Sequence, residues 1–289
     1  MHKRQANWLF SKFRQLKSCG EQGFTLIEVA IVLVIVSLLI GMGLQTYGRS
    51  VDGAKIKTTR ERMDQIESAI TLFAIQNSFL PCPADGALNS ANANYGLAQP
   101  ADGTAACTAI ANGAHVVPWI TLGLDELYSR DGWGNRITYV VAGVNQAALA
   151  NGIVLHTGGS TTDGIQRSGT SYPKGTLIVN NLAGNEMTNS NAGACVTATG
   201  PTLFTCAAYV LISHGAHASG AYSGSNNPTR LDTTDASVGE AANNDGATPF
   251  VQNDPTERAS TSGIFDDILR WRSAQSIVAS CGQTACGNP

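Results

Sequence analysis

One carboxylate in this 289-residue chain stands out because of its surroundings. In "GFTLIEVAIVLVIVSLLIGMGL", residues 23–44, Glu28 is the only ionisable side chain of an apolar run. A charge among hydrocarbon is costly and tends to be paired and functional. Proteolysis is the chemistry that would pair it. Cutting the Gly23–Phe24 bond turns the Phe24 nitrogen into an ammonium group, and Glu28 lies four residues on, hence on the same helical face. Its carboxylate can then meet its own amine, or the amine of a second helix staggered beside it. In the second arrangement the burial cost becomes a device for setting register between identical helices.

The other residues with chemical potential lie far downstream. Seven cysteines occur: Cys19, Cys82, Cys107, Cys195, Cys206, Cys281 and Cys286. An odd count leaves one thiol over, and a cut after Gly23 would remove Cys19. Neighbours in sequence then suggest the disulfides Cys82–Cys107, Cys195–Cys206 and Cys281–Cys286, bonds that persist outside the cytoplasm. Metal-binding thiolates are the alternative, but no C-x-x-C pair is present. His214 and His217 have no carboxylate beside them in sequence and read as strand-end or turn residues, with half a metal site as the alternative. Asp232, Asp235, Glu240, Asp245 and Asp254 fall in a polar segment. Three of them, Asp232, Asp235 and Asp245, are weak calcium candidates, and solvated loop acids are the simpler reading. No G-x-S-x-G, P-loop or dinucleotide fingerprint occurs, so the chain reads as a non-enzyme with no cofactor beyond that calcium.

Positioning Glu28 is the task of the N-terminal third. Lys3, Arg4, Lys12, Arg14 and Lys17 against Glu21 give the first 23 residues a charge of +4, within a chain of net −3. A basic flank before an apolar run keeps the N-terminus cytoplasmic and sends the downstream chain across the membrane. The body is correspondingly acidic, so no nucleic-acid partner is expected. Residues 24–44, as a helix, are long enough for a bilayer core of roughly 30 Å. A rival is an ordinary signal peptide cut after Gly43, since Gly41-Met42-Gly43 is a small-x-small triplet. From Ala54 to Leu80 there is no Gly or Pro, and Met63, Ile66, Ile70 and Phe73 recur at three- and four-residue steps. That predicts an amphipathic helix. Val51, Asp52 and Gly53 can bend the join without ending it, so one helix over 24–80 is expected, stopped by Pro81 and Pro83.

Beyond Pro83 the texture changes. Charged residues make up only 13% of the chain, well below the usual quarter or so, and Gly, Ala, Ser, Thr and Asn take their place. Short apolar runs alternate with turn residues: "RITYVVAG" (136–143), "GIVLHT" (152–157), "TLIVNNL" (176–182) and "AAYVLISHG" (207–215) read as strands. No amphipathic helices separate them, which favours an antiparallel sheet. "VPWITLGLDELYSRDGWGN" (117–135) reads as a short helix or loop and then a turn, with Trp119 and Trp133 as packing anchors. Residues 219–262 are polar, and so long a loop is expected to be functional, decorated or mobile. "IFDDILRW" (264–271) is a last strand or a short helix.

The front of the chain resembles a known family. A basic leader ending in Gly23, then Phe24-Thr25-Leu26-Ile27-Glu28 and an apolar helix, is similar to the class III signal of type IV pilins and type II secretion pseudopilins. The resemblance covers about 30 residues. It implies that prepilin peptidase cuts between Gly23 and Phe24, that Phe24 is N-methylated, and that Glu28 neutralises a neighbouring subunit's amine during assembly. It also implies an α+β fold: a long N-terminal helix, transmembrane in its first half (24–44) and amphipathic in its second, packed on an antiparallel β-sheet head with disulfides. The expected parts are a removed leader at 1–23, the helix at 24–80 and a periplasmic or extracellular head at 81–289. Asp131-Gly-Trp-Gly-Asn135 also resembles a segment of major pseudopilins, some of which hold calcium in a late loop. Two departures are the 23-residue leader, longer than the shortest in the family, and a head larger than that of typical major subunits. The size of the head favours a minor subunit, tip-located or adhesive, over the bulk building block. Expected partners are other pilin or pseudopilin subunits, prepilin peptidase, the inner-membrane assembly platform and the lipid bilayer. The alternatives are a filament-displayed adhesin or a cargo- or DNA-binding module acting through 219–262, and a membrane-anchored periplasmic enzyme.

Overall fold

Helix α1 (Leu26–Asn77) runs unbroken for 52 residues through Val51, Asp52 and Gly53. Gly53 is one of four glycines in α1, with Gly41, Gly43 and Gly48, and each costs only about 1 kcal/mol in a helix interior, which so long a helix absorbs. The computed structural model describes residues 23–108, 110, 113–142, 153–154, 164–165, 175–188, 206–234, 236–254, 256–260, 263–281 and 286. Of these, 41–50, 256–260 and 263 are described as backbone alone. The helix stops before the prolines. Ser78 turns left-handed, at φ 67°, while its N–H still reaches Ala74 O at 2.9 Å. Pro81 and Pro83 therefore hold an extended exit and do not themselves break the helix.

The chain divides into two compact units, Met1–Val51 and Asp52–Pro289. Among the described residues, no helix is long and apolar enough to cross a membrane. The described apolar side chains end at Ile40, short of the roughly 20 residues a span requires, so the expected span 24–44 is not shown.

In the second unit the strands follow in order: β1 (Ala84–Asp85), β2 (His115–Val116), β3 (Asn135–Arg136), β4 (Thr138–Val141), β5 (Val179–Asn181), β6 (Ala207–Ser213) and β7 (Tyr222–Ser223). Helix α2 (Val238–Asn244), β8 (Phe250–Gln252), β9 (Thr256–Ser260), β10 (Gly263–Phe265), β11 (Ile268–Ser273) and α3 (Ala274–Ser280) complete it. The main sheet has the order β1-β2-β4-β6-β11, antiparallel throughout. Every residue of β4 and β6 is buried, which explains why both read as continuous apolar runs without alternation. Met63, Ile66, Ile70 and Ala74 of α1 join them in one core. Phe73, expected in that stripe, flanks it half-buried and meets Phe79 edge-on. Of 152–157, only Ile153 and Val154 are described, buried in a turn. Trp119 is buried edge-on to Tyr95, and Trp133 packs partly buried on the core. A short 3-10 turn, Glu126–Ser129, precedes the 131–135 turn as expected, and 264–271 resolves into strand, the end of β10 and then β11.

The main sheet is antiparallel as expected, and one further pair, β5 with β8, is parallel. Residues 219–262, too long for a plain loop, contain β7, α2, β8 and β9 and bury Tyr222, Asn243 and Phe250. Hydrogen bonds, not apolar area alone, hold this segment. Asn243 Nδ2 donates to Val251 O at 2.9 Å, and Val251 N–H returns a bond to Asn243 Oδ1 at 2.8 Å.

The turn 131–135 clamps α1 to the sheet. Asp131 Oδ1 accepts from the N–H groups of Trp133 and Asn135, and its Oδ2 accepts from Ser213 Oγ of β6. Arg62 of α1 donates to the carbonyls of Arg130 and Asp131 at 3.0 and 2.7 Å. Gly132 N–H donates to Thr59 Oγ1 at 2.9 Å. A Cβ on Gly132 would fall 2.3 Å from Lys55 O, so only glycine lets the turn approach the helix this closely. Farther along α1, Asp64 pairs with Arg270, and Glu67 Oε2 accepts from Arg272 at 2.9 Å.

Candidate processing and assembly site

Residues 23–25 are non-helical, and the Gly23–Phe24 bond they contain is exposed, with Phe24 at 85% exposure. A bond of this kind is open to a protease that grips an extended chain. Immediately after it the helix begins, and its first turn is closed by Thr25 and Glu28. Thr25 N–H and Thr25 Oγ1 both donate to Glu28 Oε2 at 2.9 Å, and Glu28 N–H donates to Thr25 Oγ1 at 3.3 Å. This is a capping box, which satisfies backbone donors that a helix start otherwise leaves bare. It also sets a carboxylate at the positive end of the helix dipole. The pattern T-x-x-E was visible in the sequence, but the reading of Glu28 as a partner for an amine passed over it.

Behind the cap the apolar side chains of residues 26–40 are uncovered on every side. Leu26, Val32, Val36 and Ile40 are exposed by 92, 57, 42 and 55%, and the others fall in the same range. Ser37, the one hydroxyl among residues 26–40, donates to Leu33 O at 2.7 Å and so hides its polarity in the helix. A helix apolar all round belongs in lipid or among other helices.

Elsewhere the expected site residues separate. Cys82–Cys107 and Cys281–Cys286 are disulfides. Cys206 is disulfide-bonded as well, and Cys195, its expected partner, lies outside the described residues. Of the calcium candidates, Asp235 lies outside the described residues. Asp232 accepts from Thr234 N–H and Asp245 from Ala247 N–H, so each serves its own turn. The histidines, by contrast, do have carboxylates around them. His214 Nδ1 lies 3.7 Å from Asp267 Oδ1, and His217 adjoins Asp266 and Glu240. The fold supplies neighbours that sequence proximity did not reveal.

Residues 19–44 match the family model of the prokaryotic N-terminal methylation motif. The match contains Gly23, Phe24 and Glu28 and ends at Leu44, and a motif of this kind marks a type IV pilin-like or pseudopilin-like precursor. No curated protein and no solved structure matches the chain.

Proposed function

We propose that this chain is a subunit of a type IV pilus or type II secretion pseudopilus. It waits in the inner membrane with its N-terminus cytoplasmic and its head periplasmic. Prepilin peptidase cuts it after Gly23, Phe24 is N-methylated, and the assembly platform draws it into a helical filament. The observation that carries this reading is the uncovered apolar surface of residues 26–40, lying directly behind a methylation-type signal. In the membrane, lipid covers that surface; in a filament, the same surface of other copies does.

The carboxylate gives the transfer its register. A neighbour's Phe24 ammonium offers Glu28 a charge partner where water cannot, and a charged pair in a dry setting is worth far more than at a surface. The capping box holds the carboxylate at the tip of α1, the end that an incoming N-terminus must reach. The size of the head, 81–289, favours a minor or tip-located subunit. The decisive experiment is intact-mass and N-terminal analysis of the chain recovered from sheared surface filaments. A mature start at methylated Phe24 is expected. A start at Leu44, or a retained leader in a functioning chain, overturns the proposal.

A further inference from the structure

Three side chains from separate segments of the head converge beside residues 214–217. His217 Nδ1 lies 4.0 Å from Glu240 Oε1 and 3.8 Å from Asp266 Oδ2. One ligand-capable atom from each of the three lies within 4.8 Å of the others. The Glu240 side chain is 2% exposed and that of Asp266 18%, whereas His217 is 47% exposed. The cluster is therefore closed on its carboxylate side and open to solvent on its imidazole side.

Its carboxylates are only half satisfied. Glu240 is the N3 residue of α2, and its Oε2 accepts from Ser237 N–H at 2.9 Å in a capping box. Its Oε1, turned toward His217, is buried without a hydrogen-bond donor. Asp266 repeats the arrangement: Oδ2 accepts from His217 N–H at 2.8 Å, and Oδ1 is buried without a donor. Burial pushes the Asp266 carboxyl up, and the neighbouring Glu240 adds to it. Buried acceptors without partners are uncommon and costly in native proteins. The loop is shaped to bring them there. Gly215 has φ +59°, and a Cβ at that position would fall 2.5 Å from Asp266 Cγ, so only glycine lets the backbone lie on this carboxylate.

Two carboxylate oxygens and an imidazole nitrogen form a set of acceptors. A proton shared between Glu240 and Asp266 would occupy one pair and leave the imidazole lone pair idle, whereas a cation engages all three. A nitrogen ligand beside two carboxylates suits zinc-class metals; calcium and magnesium prefer oxygen throughout. Around tetrahedral zinc, ligand atoms stand roughly 3.4 Å apart. The His217 distances of 3.8 and 4.0 Å come within side-chain adjustment of that spacing. We propose that His217, Glu240 and Asp266 bind one divalent transition-metal cation of the zinc class, with water filling the open position on the solvent side. The ion would clip the 214–217 loop, the start of α2 and the β10–β11 connection together.

The test uses the full-length chain in detergent micelles, stripped with a chelator and titrated with zinc chloride or calcium chloride by calorimetry and thermal melting. His217→Ala and Glu240→Gln are compared with the wild type. His217 is half exposed, and Gln also serves at N3 of a capping box, so both variants should melt near the wild type in chelator. The expected result is one zinc per chain with a raised melting temperature. Each variant should weaken zinc binding by more than about tenfold and lose the rise. The site is overturned if the wild type takes up no zinc, if both variants bind zinc as the wild type does, or if calcium raises melting as much as zinc. None of these outcomes depends on filament assembly.

Discussion

Thr25 and Glu28 hold one another's backbone at the start of α1: the carboxylate accepts from the Thr25 N–H and hydroxyl, and that hydroxyl accepts from the Glu28 N–H. Glu28 therefore has a structural task of its own, which can be separated from the proposed pairing with a neighbour's amine. Glu28→Gln keeps a capping residue at N3 but removes the charge, whereas Glu28→Ala removes both. Circular dichroism in detergent should show wild-type helix content for the Gln variant. Its recovery in sheared filaments should fall on the order of tenfold or more, the effect of ~1.4 kcal/mol on an equilibrium, as for the Ala variant. Wild-type recovery of Glu28→Gln would reduce Glu28 to a cap.

Gly132→Ala tests the clamp between α1 and the 131–135 turn. The added methyl would stand 2.3 Å from Lys55 O and 2.8 Å from Lys55 C, against helix backbone that cannot yield as a side chain does. Overpacking of this kind costs about 1–3 kcal/mol. Melting should drop accordingly, while Gly134→Ala, where a Cβ meets nothing within 4 Å, should lose stability only through its φ of +91°. Equal stability of Gly132→Ala and wild type would refute the close approach.

The two described disulfides should differ in worth. Cys82 and Cys107 are 25 residues apart in sequence, and Cys281 and Cys286 only 5. On the chain-entropy account, closing loops of these sizes restrains the unfolded chain by about 3.5 and about 2 kcal/mol respectively. Paired Cys→Ser substitutions, melted without reductant, should rank in that order. The reverse ranking would mean that contacts around Cys286 outweigh loop entropy.

Acid should destabilise the head through His214. Burial is the main cause that lowers this imidazole to about 4, with Arg230 adding to it. In the unfolded chain it titrates near 6.5. Because the folded value is depressed, the unfolded chain takes up the proton first. Stability is present in full above pH 6.5 and is lost as pH falls toward 4, by on the order of 3 kcal/mol. Nε2 of His214 meets Thr138 Oγ1 at 2.9 Å, a bond that a Gln amide can replace. Chemical denaturation of His214→Gln between pH 7 and pH 4 should show a shallower decline than the wild type. Parallel pH profiles would argue against a buried neutral histidine.

Much of the long helix was legible because its signals are local. Met63, Ile66 and Ile70 recur at helical spacing and are all fully buried, and the strands over 138–141 and 207–213 appear as apolar runs because both their faces are covered. What stayed hidden depends on polar bonding or on distant pairing. The α2 sequence "VGEAANN" has no apolar face, and a capping box and the Asn243 bonds hold it in place. The parallel pairing of Val179 with Phe250 joins segments that nothing local connects. His217, Glu240 and Asp266 meet only because a glycine turn and a strand connection bring them together. The cap at Thr25 is legible in principle, because the T-x-x-E spacing of Thr25 and Glu28 is local.

The lacing of α1 has a mechanical consequence. Arg62 grips the 131–135 turn, Asp64 and Glu67 engage Arg270 and Arg272 of β11, and Ser78 Oγ donates to Cys286 O beside the final disulfide. These attachments are spread along the flank of the helix, so tension directed down its axis strains them simultaneously, in shear. A body fastened in this way gives way only when its fasteners fail together, so its resistance to a pull along the helix exceeds that of any one bond.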